Sequence, residues 1–198
     1  MTFKTEITAN DILSLDDYAK VRKQQKQAVK EIKQNRRVAV GPDATFYFEN
    51  YDTMLYQIHE MLFIEKGGDA QLSDELDAYN PLVPKGQELV ATMMFEIDDP
   101  VRRTAFLNKM GGVENHIFLG VAGEKIQAVA EDDVERTNSD GKASSIQFLH
   151  FPLTTQQIAA FKNPESQITL SIEHDNYGHV AILNNATRAA LAKDFSEI

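Results

Sequence analysis

Apolar positions along the chain fall into two rhythms. Between residues 89 and 97 they alternate: Leu89, Ala91, Met93, Phe95 and Ile97 interleave with Val90, Thr92, Met94 and Glu96. Successive side chains of a strand point to opposite faces, so this stretch predicts a strand with one clearly apolar face. Between residues 51 and 66 the spacing is helical. Tyr51, Met54, Leu55, Ile58, Met61 and Leu62 make one face, and Tyr56 and Phe63 widen it. Apolar residues on most sides predict a largely buried helix, ended by Gly67-Gly68. An earlier helix over residues 14–36 has a different character. Ser14-Leu15-Asp16-Asp17 is a start resembling a capping box, with acids at the positive end of the dipole and Arg36 and Arg37 beyond the negative end. Its apolar stripe (Tyr18, Val21, Ala28, Val29, Ile32) is narrow and interrupted by Gln25, which predicts a helix lying on a surface.

The remaining pattern supplies strands and short helices in quick succession. Residues 37–40 and 45–48 read as strands about Gly41-Pro42, and 116–121 and 125–130 as a hairpin across Ala122-Gly123-Glu124. Asp99-Pro100 and Thr154-Thr155-Gln156-Gln157 open helices, because Asp and Thr cap the first free amides and Pro suits the first turn. A short acidic helix or turn is expected over 73–78, a turn at Asn138-Ser139-Asp140-Gly141, strands at 144–151, 168–174 and 179–183, and a closing helix at 187–194. Connections of hairpin length predict a largely antiparallel sheet with helices packed mainly on one side. No linker or repeat divides the chain, so residues 1–198 are expected to form a single α+β domain.

Charge changes the picture at one place. The 198 residues carry a net charge of −10, yet the segment from Lys20 to Arg37 holds eight basic residues and one acid, Glu31. An acidic body repels phosphate backbones, so nucleic acid is not an expected partner. The basic helix, with Lys26, Lys30 and Lys33 on it, suits an acidic protein surface, either a redox partner or a second copy in a homo-oligomer. A solvated helix face is the plainer reading of the same run. The absence of cysteine excludes disulfides, iron–sulfur clusters and thiol catalysis. No run approaches the roughly 20 apolar residues of a membrane helix, and no signal-peptide pattern opens the chain, so no membrane association and a cytoplasmic location are expected.

Motif tests mostly fail. Gly-rich nucleotide loops and the Gly-x-Ser-x-Gly elbow are missing. His59-Glu60-Met61-Leu62-Phe63 starts like a zinc-protease motif but ends on Phe63, and the segment from Arg136 to Gln147 lacks the first and last ligands of a calcium loop. The hairpin near His174-Asp175-Asn176-Tyr177-Gly178-His179 is more suggestive. A four-residue loop over 175–178 would set His174 opposite His179, with Cβ atoms about 4.5–5.5 Å apart. Without cysteine, a divalent ion there (iron, manganese or zinc) would need carboxylates, with Glu60 the leading candidate and Glu96 the weaker one. A hydrogen-bonded sheet cap explains the same pair. His150 shares parity with Ile146 and Phe148 and reads as a satisfied core histidine. Tyr79, Asn80 and Tyr177 are candidates for a small-molecule contact, against simple turn duty for Asp77-Ala78-Tyr79-Asn80-Pro81.

Five stretches taken in order resemble the bacterial DUF3501 family. They are Asp11-Ile12-Leu13-Ser14-Leu15-Asp16-Asp17-Tyr18, Arg36-Arg37-Val38-Ala39-Val40-Gly41-Pro42, Tyr56-Gln57-Ile58-His59-Glu60-Met61-Leu62, Asp74-Glu75-Leu76-Asp77-Ala78-Tyr79-Asn80-Pro81-Leu82 and the His174…Tyr177…His179 segment. The resemblance implies a stand-alone bacterial protein, encoded near rubrerythrin-like proteins and iron–sulfur oxidoreductases, and hence an accessory role in redox or peroxide physiology. It carries no catalytic residues over to this chain.

Overall fold

A computed structural model describes residues 4–131, 137 and 141–196. The turn expected at 138–141 falls almost wholly outside these residues. Nine strands are described: β1 (Arg37–Val40), β2 (Ala44–Glu49), β3 (Glu88–Phe95), β4 (Ile117–Val121), β5 (Glu124–Gln127), β6 (Val129–Ala130), β7 (Ile146–Pro152), β8 (Ile168–His174) and β9 (Tyr177–Ile182). They form two antiparallel sheets, ordered β1-β2-β3-β7-β6 and β5-β4-β8-β9. The helices are α1 (Leu15–Gln34), α2 (Tyr51–Glu65), α3 (Gly68–Tyr79), α4 (Pro100–Leu107), α5 (Thr155–Lys162) and α6 (Asn185–Leu191). The α+β class and the antiparallel pairing are as the sequence pattern implies. Among the described residues, no helix is long and apolar enough to cross a membrane.

The two sheets enclose one core. Leu89, Ala91, Met93 and Phe95 of β3, Leu149 and Phe151 of β7, Leu119 of β4, and Leu170 and Ile172 of β8 are all buried in it. At one corner the chain itself joins the sheets. β5 runs into β6 through buried Ala128, whose N–H donates to the Ile117 carbonyl, so one extended stretch serves both sheets. At the opposite corner Tyr177 of β9 reaches the β1–β2 turn. Its phenol accepts hydrogen bonds from the Asp43 and Ala44 amides at 3.0 and 3.1 Å and donates to the Val40 carbonyl at 2.8 Å. Gly41 makes this approach possible: its φ is +73°, and a Cβ there would lie 2.6 Å from Tyr177 and His179.

Alternation along β3 puts Val90 on its other face, where it meets a second cluster with Met54, Ile58 and Leu62 of α2 and, partly buried, Leu72, Leu76 and Tyr79 of α3. Helices α1, α2 and α3 therefore make a layer outside the larger sheet. α1 starts where its sequence implies, with Ser14 accepting from the Asp17 amide. α2 ends one residue earlier than the glycine pair suggests, because Lys66 itself adopts the left-handed conformation at φ 56°. That releases Gly68 to begin α3, a helix of 12 residues where a short acidic helix or turn over 73–78 was expected.

Arg36 ties the end of α1 to the rest of the molecule. It is buried at 3% exposure and donates to the carbonyls of Phe48, Glu49 and Ala190 and to the Asp194 carboxylate. A buried charge is tolerated when its donors are filled this way.

Candidate functional site

Each candidate from the sequence has a definite place. Glu60 lies on α2, and there it accepts two hydrogen bonds from Arg22, at 2.8 and 2.9 Å, and one from the Tyr18 hydroxyl at 2.7 Å. The Arg22 bonds hold its carboxyl down to about 2, against the opposing pull of burial. His59 beside it stacks on Tyr18 with ring centres 4.7 Å apart, accepts from the Leu13 amide and bonds the Leu55 carbonyl. An imidazole that accepts at Nε2 must donate at Nδ1, so it is neutral, and burial lowers its pKa accordingly. The His-Glu pair is thus a clasp between α1 and α2, and Arg22 completes it by lying over the Phe63 ring.

The expected meeting of His174 with His179 does not occur. The β8–β9 loop is the two residues Asp175-Asn176, and the register pairs His174 with Tyr177 and Ile172 with His179. Gly178 suggested a longer loop, but the apolar demand of the core pulls Tyr177 into the strand as a buried residue. His174 instead sets its ring edge-to-face on His116, 5.3 Å between centres, while Nδ1 accepts from the Asn176 amide. His179 packs on Tyr177, with ring centres 4.4 Å apart. Among the described residues, no group of three or more His, Asp or Glu side chains is placed to hold a metal ion. Glu96 is likewise occupied, accepting from Thr45 at 2.6 Å, Tyr47 at 2.5 Å and Arg37 at 3.1 Å.

Asn80 acts as a strand surrogate: its side chain accepts from the Ile7 amide at 2.7 Å and donates to the Ile7 carbonyl at 2.9 Å. Tyr79 is half-buried in the helix cluster. With Lys85 donating to the Thr5 and Asn80 carbonyls, this loop fastens the residues that lead into α1. Tyr177, the third small-molecule candidate, spends its hydroxyl on the β1–β2 turn.

Two further features stand apart from these candidates. His150, expected as a satisfied core histidine, is satisfied but only half-buried: it faces outward from β7 between two carboxylates, Glu88 at 2.9 Å and Glu131 at 2.6 Å. Burial pulls its pKa down, but the hydrogen bonds to the two carboxylates and their negative charges together outweigh it, and the net shift is upward. Its parity with Phe148 was legible; the carboxylates come from 62 and 19 residues away and were not. The other feature is an open trough of about 540 Å³ on the outer face of β4, β8 and β9, floored by Gly120, Thr169, Ser171 and Gly178 and bridged by the Lys125–Glu173 ion pair. Small side chains at neighbouring register positions create it, a pattern visible only once strand pairing is known.

Only Tyr18 and Val29 are buried on the 20-residue helix α1. Lys20 pairs with Asp17 and Arg22 with Glu60, whereas Lys23, Lys26 and Lys30 are exposed and form no salt bridge among the described residues, Lys26 acting on Glu60 only through its charge at longer range. These lysines, with half-buried Lys33, recur at helical spacing along one flank.

This architecture, a pair of antiparallel sheets around one core with a three-helix layer on one flank, defines an α+β protein in which His59, Glu60, Asn80 and Tyr177 serve joints between elements. The chain belongs to the DUF3501 family, described as proteins of unknown function, whose model matches residues 6–195. It is similar to a solved protein of unknown function from Burkholderia pseudomallei K96243, with 37% identity, a TM-score of 0.88, and 96% of this chain and 99% of that one covered. Comparison with curated proteins gives no match.

Proposed function

We propose that the protein is a non-catalytic interaction protein that docks on an acidic protein surface through α1, and that its role lies in the bacterial redox or peroxide physiology its family resemblance implies. The exposed, unpaired lysines of α1 carry this reading. A helix held rigidly from beneath by the Tyr18–Glu60–Arg22 clasp keeps these cations in fixed positions, which favours steering and orientation of a partner over tight, deeply buried contact. The side chains that first suggested chemistry support the same reading, since His59, Glu60, Glu96 and Tyr177 are each engaged in joining secondary structures.

Surface plasmon resonance against a rubrerythrin-like protein tests the proposal. Binding is expected to weaken steeply with salt and to drop at least about tenfold when Lys26, Lys30 and Lys33 are all changed to Glu. Binding that persists unchanged in a correctly folded triple variant would contradict it.

A further inference from the structure

The three-helix layer is electrically lopsided. α1 and α3 flank α2, α1 through the Tyr18–His59 stack and α3 through Leu72, Leu76 and Tyr79. From Gly67 to Pro84 there is no Lys or Arg, and α3 exposes Asp69, Asp74 and Asp77. None of these three aspartates has an ion partner among the described residues. Around them Ala70, Ser73 and Ala78 are also exposed and small, so another helix can come close. Lys23 to Lys33 spans about 15 Å along α1, and Asp69 to Asp77 spans about 12 Å along α3. Between the two stripes, α2 leaves Ile64 64% exposed and Met61 partly so.

A basic ridge, an apolar middle and an acidic ridge of matching length make a surface complementary to its own rotated copy. We propose that the acidic surface met by α1 is α3 of a second copy of this chain, in a two-fold dimer in which each α1 lies along the partner's α3 and the two α2 helices meet at the axis. The inference rests on the reading of α1 as a docking face and names its occupant in the free protein, a second copy that an acidic redox partner displaces on binding. Exposed ion pairs are individually weak, so the dimer is salt-sensitive and held by several reciprocal pairs acting together.

Sedimentation velocity on the full chain over a concentration series tests it. Dimers are expected at low ionic strength, with the dissociation constant rising about tenfold or more at high salt. The variants K26E/K30E and D74K/D77K should each be monomeric alone, with urea midpoints close to that of the parent. Mixed, they should form a heterodimer, because the reversed lysines then meet the reversed aspartates while the second contact is native. A native chain that stays monomeric at low salt, or a mixture that fails to associate, overturns the dimer. If the rubrerythrin-like partner is nonetheless lost in the Lys-to-Glu triple variant, the docking reading survives that result. A dimer indifferent to both reversals overturns the proposed face, and unchanged partner binding alongside it would remove the docking reading too.

Discussion

Replacing Tyr177 by Phe removes one oxygen and leaves the ring where it is. That ring keeps its edge contacts with Phe95 and Phe106, at 6.0 and 5.5 Å, so packing is preserved. What disappears is the acceptor for two buried amides and the donor to one buried carbonyl, all in the β1–β2 turn. A buried polar group left without a partner costs about 1–3 kcal/mol, and some relaxation is available to a turn, so a loss near 3 kcal/mol is expected. In a protein of this size each kcal/mol moves the melting temperature by about 2–4 °C, which puts the drop at about 6–12 °C. Differential scanning calorimetry reads the shift, and urea titration with an unchanged slope confirms that the unfolded state is not the cause. A loss below about 0.5 kcal/mol, the range of an ordinary surface change, would refute the assignment of this hydroxyl as a fastener between the sheets.

Two pH-dependent effects follow from the same reasoning. Glu60 is held at about 2 against an ordinary 4.5, so its stabilisation is present above pH 4.5 and fades as pH falls toward 2. Glu60→Gln should therefore lower the urea midpoint at pH 7 by an equivalent of about 1–2 kcal/mol, and the gap to the parent should narrow by pH 3. A constant gap would rule out the charged clasp. His150 has the opposite sign: its raised pKa makes the protonated form the stabilising one, fully so below pH 6.5 and less as pH climbs through the raised value. His150→Gln should cost about 1–2 kcal/mol at pH 6, with the difference from the parent shrinking toward pH 9, and thermal melts across that interval would expose a wrong sign.

The elements legible in the sequence were those that local chemistry decides. Ser14, Asp99 and Thr154 cap the helices they were expected to cap, and Ala122-Gly123, both at positive φ, turn the β4–β5 hairpin. The candidate site was less legible because it depended on register and on distant partners. A two-residue difference in the β8–β9 loop replaced the His174–His179 pairing by His174–Tyr177 and Ile172–His179, and periodicity cannot count loop residues when Gly, Asn and Asp crowd together. Glu60 stood out correctly as a charge on an apolar helix. Its answering cation, Arg22, lies 38 residues away on a helix whose many other cations gave no reason to single it out.

The contacts that close the molecule link residues far apart in the chain: Tyr177 to Val40 over 137 positions, and Asp194 to Arg36 over 158. During synthesis the first hairpin and the helix layer emerge long before these residues leave the ribosome, so the sheet edge at β1 waits unprotected. Such late, long-range closure slows folding and exposes intermediates to aggregation. Yield in a cell should therefore respond more to chaperone supply and temperature than to changes in the early helices, and a truncation that omits the last third should strand the remainder as an open, adhesive half-shell.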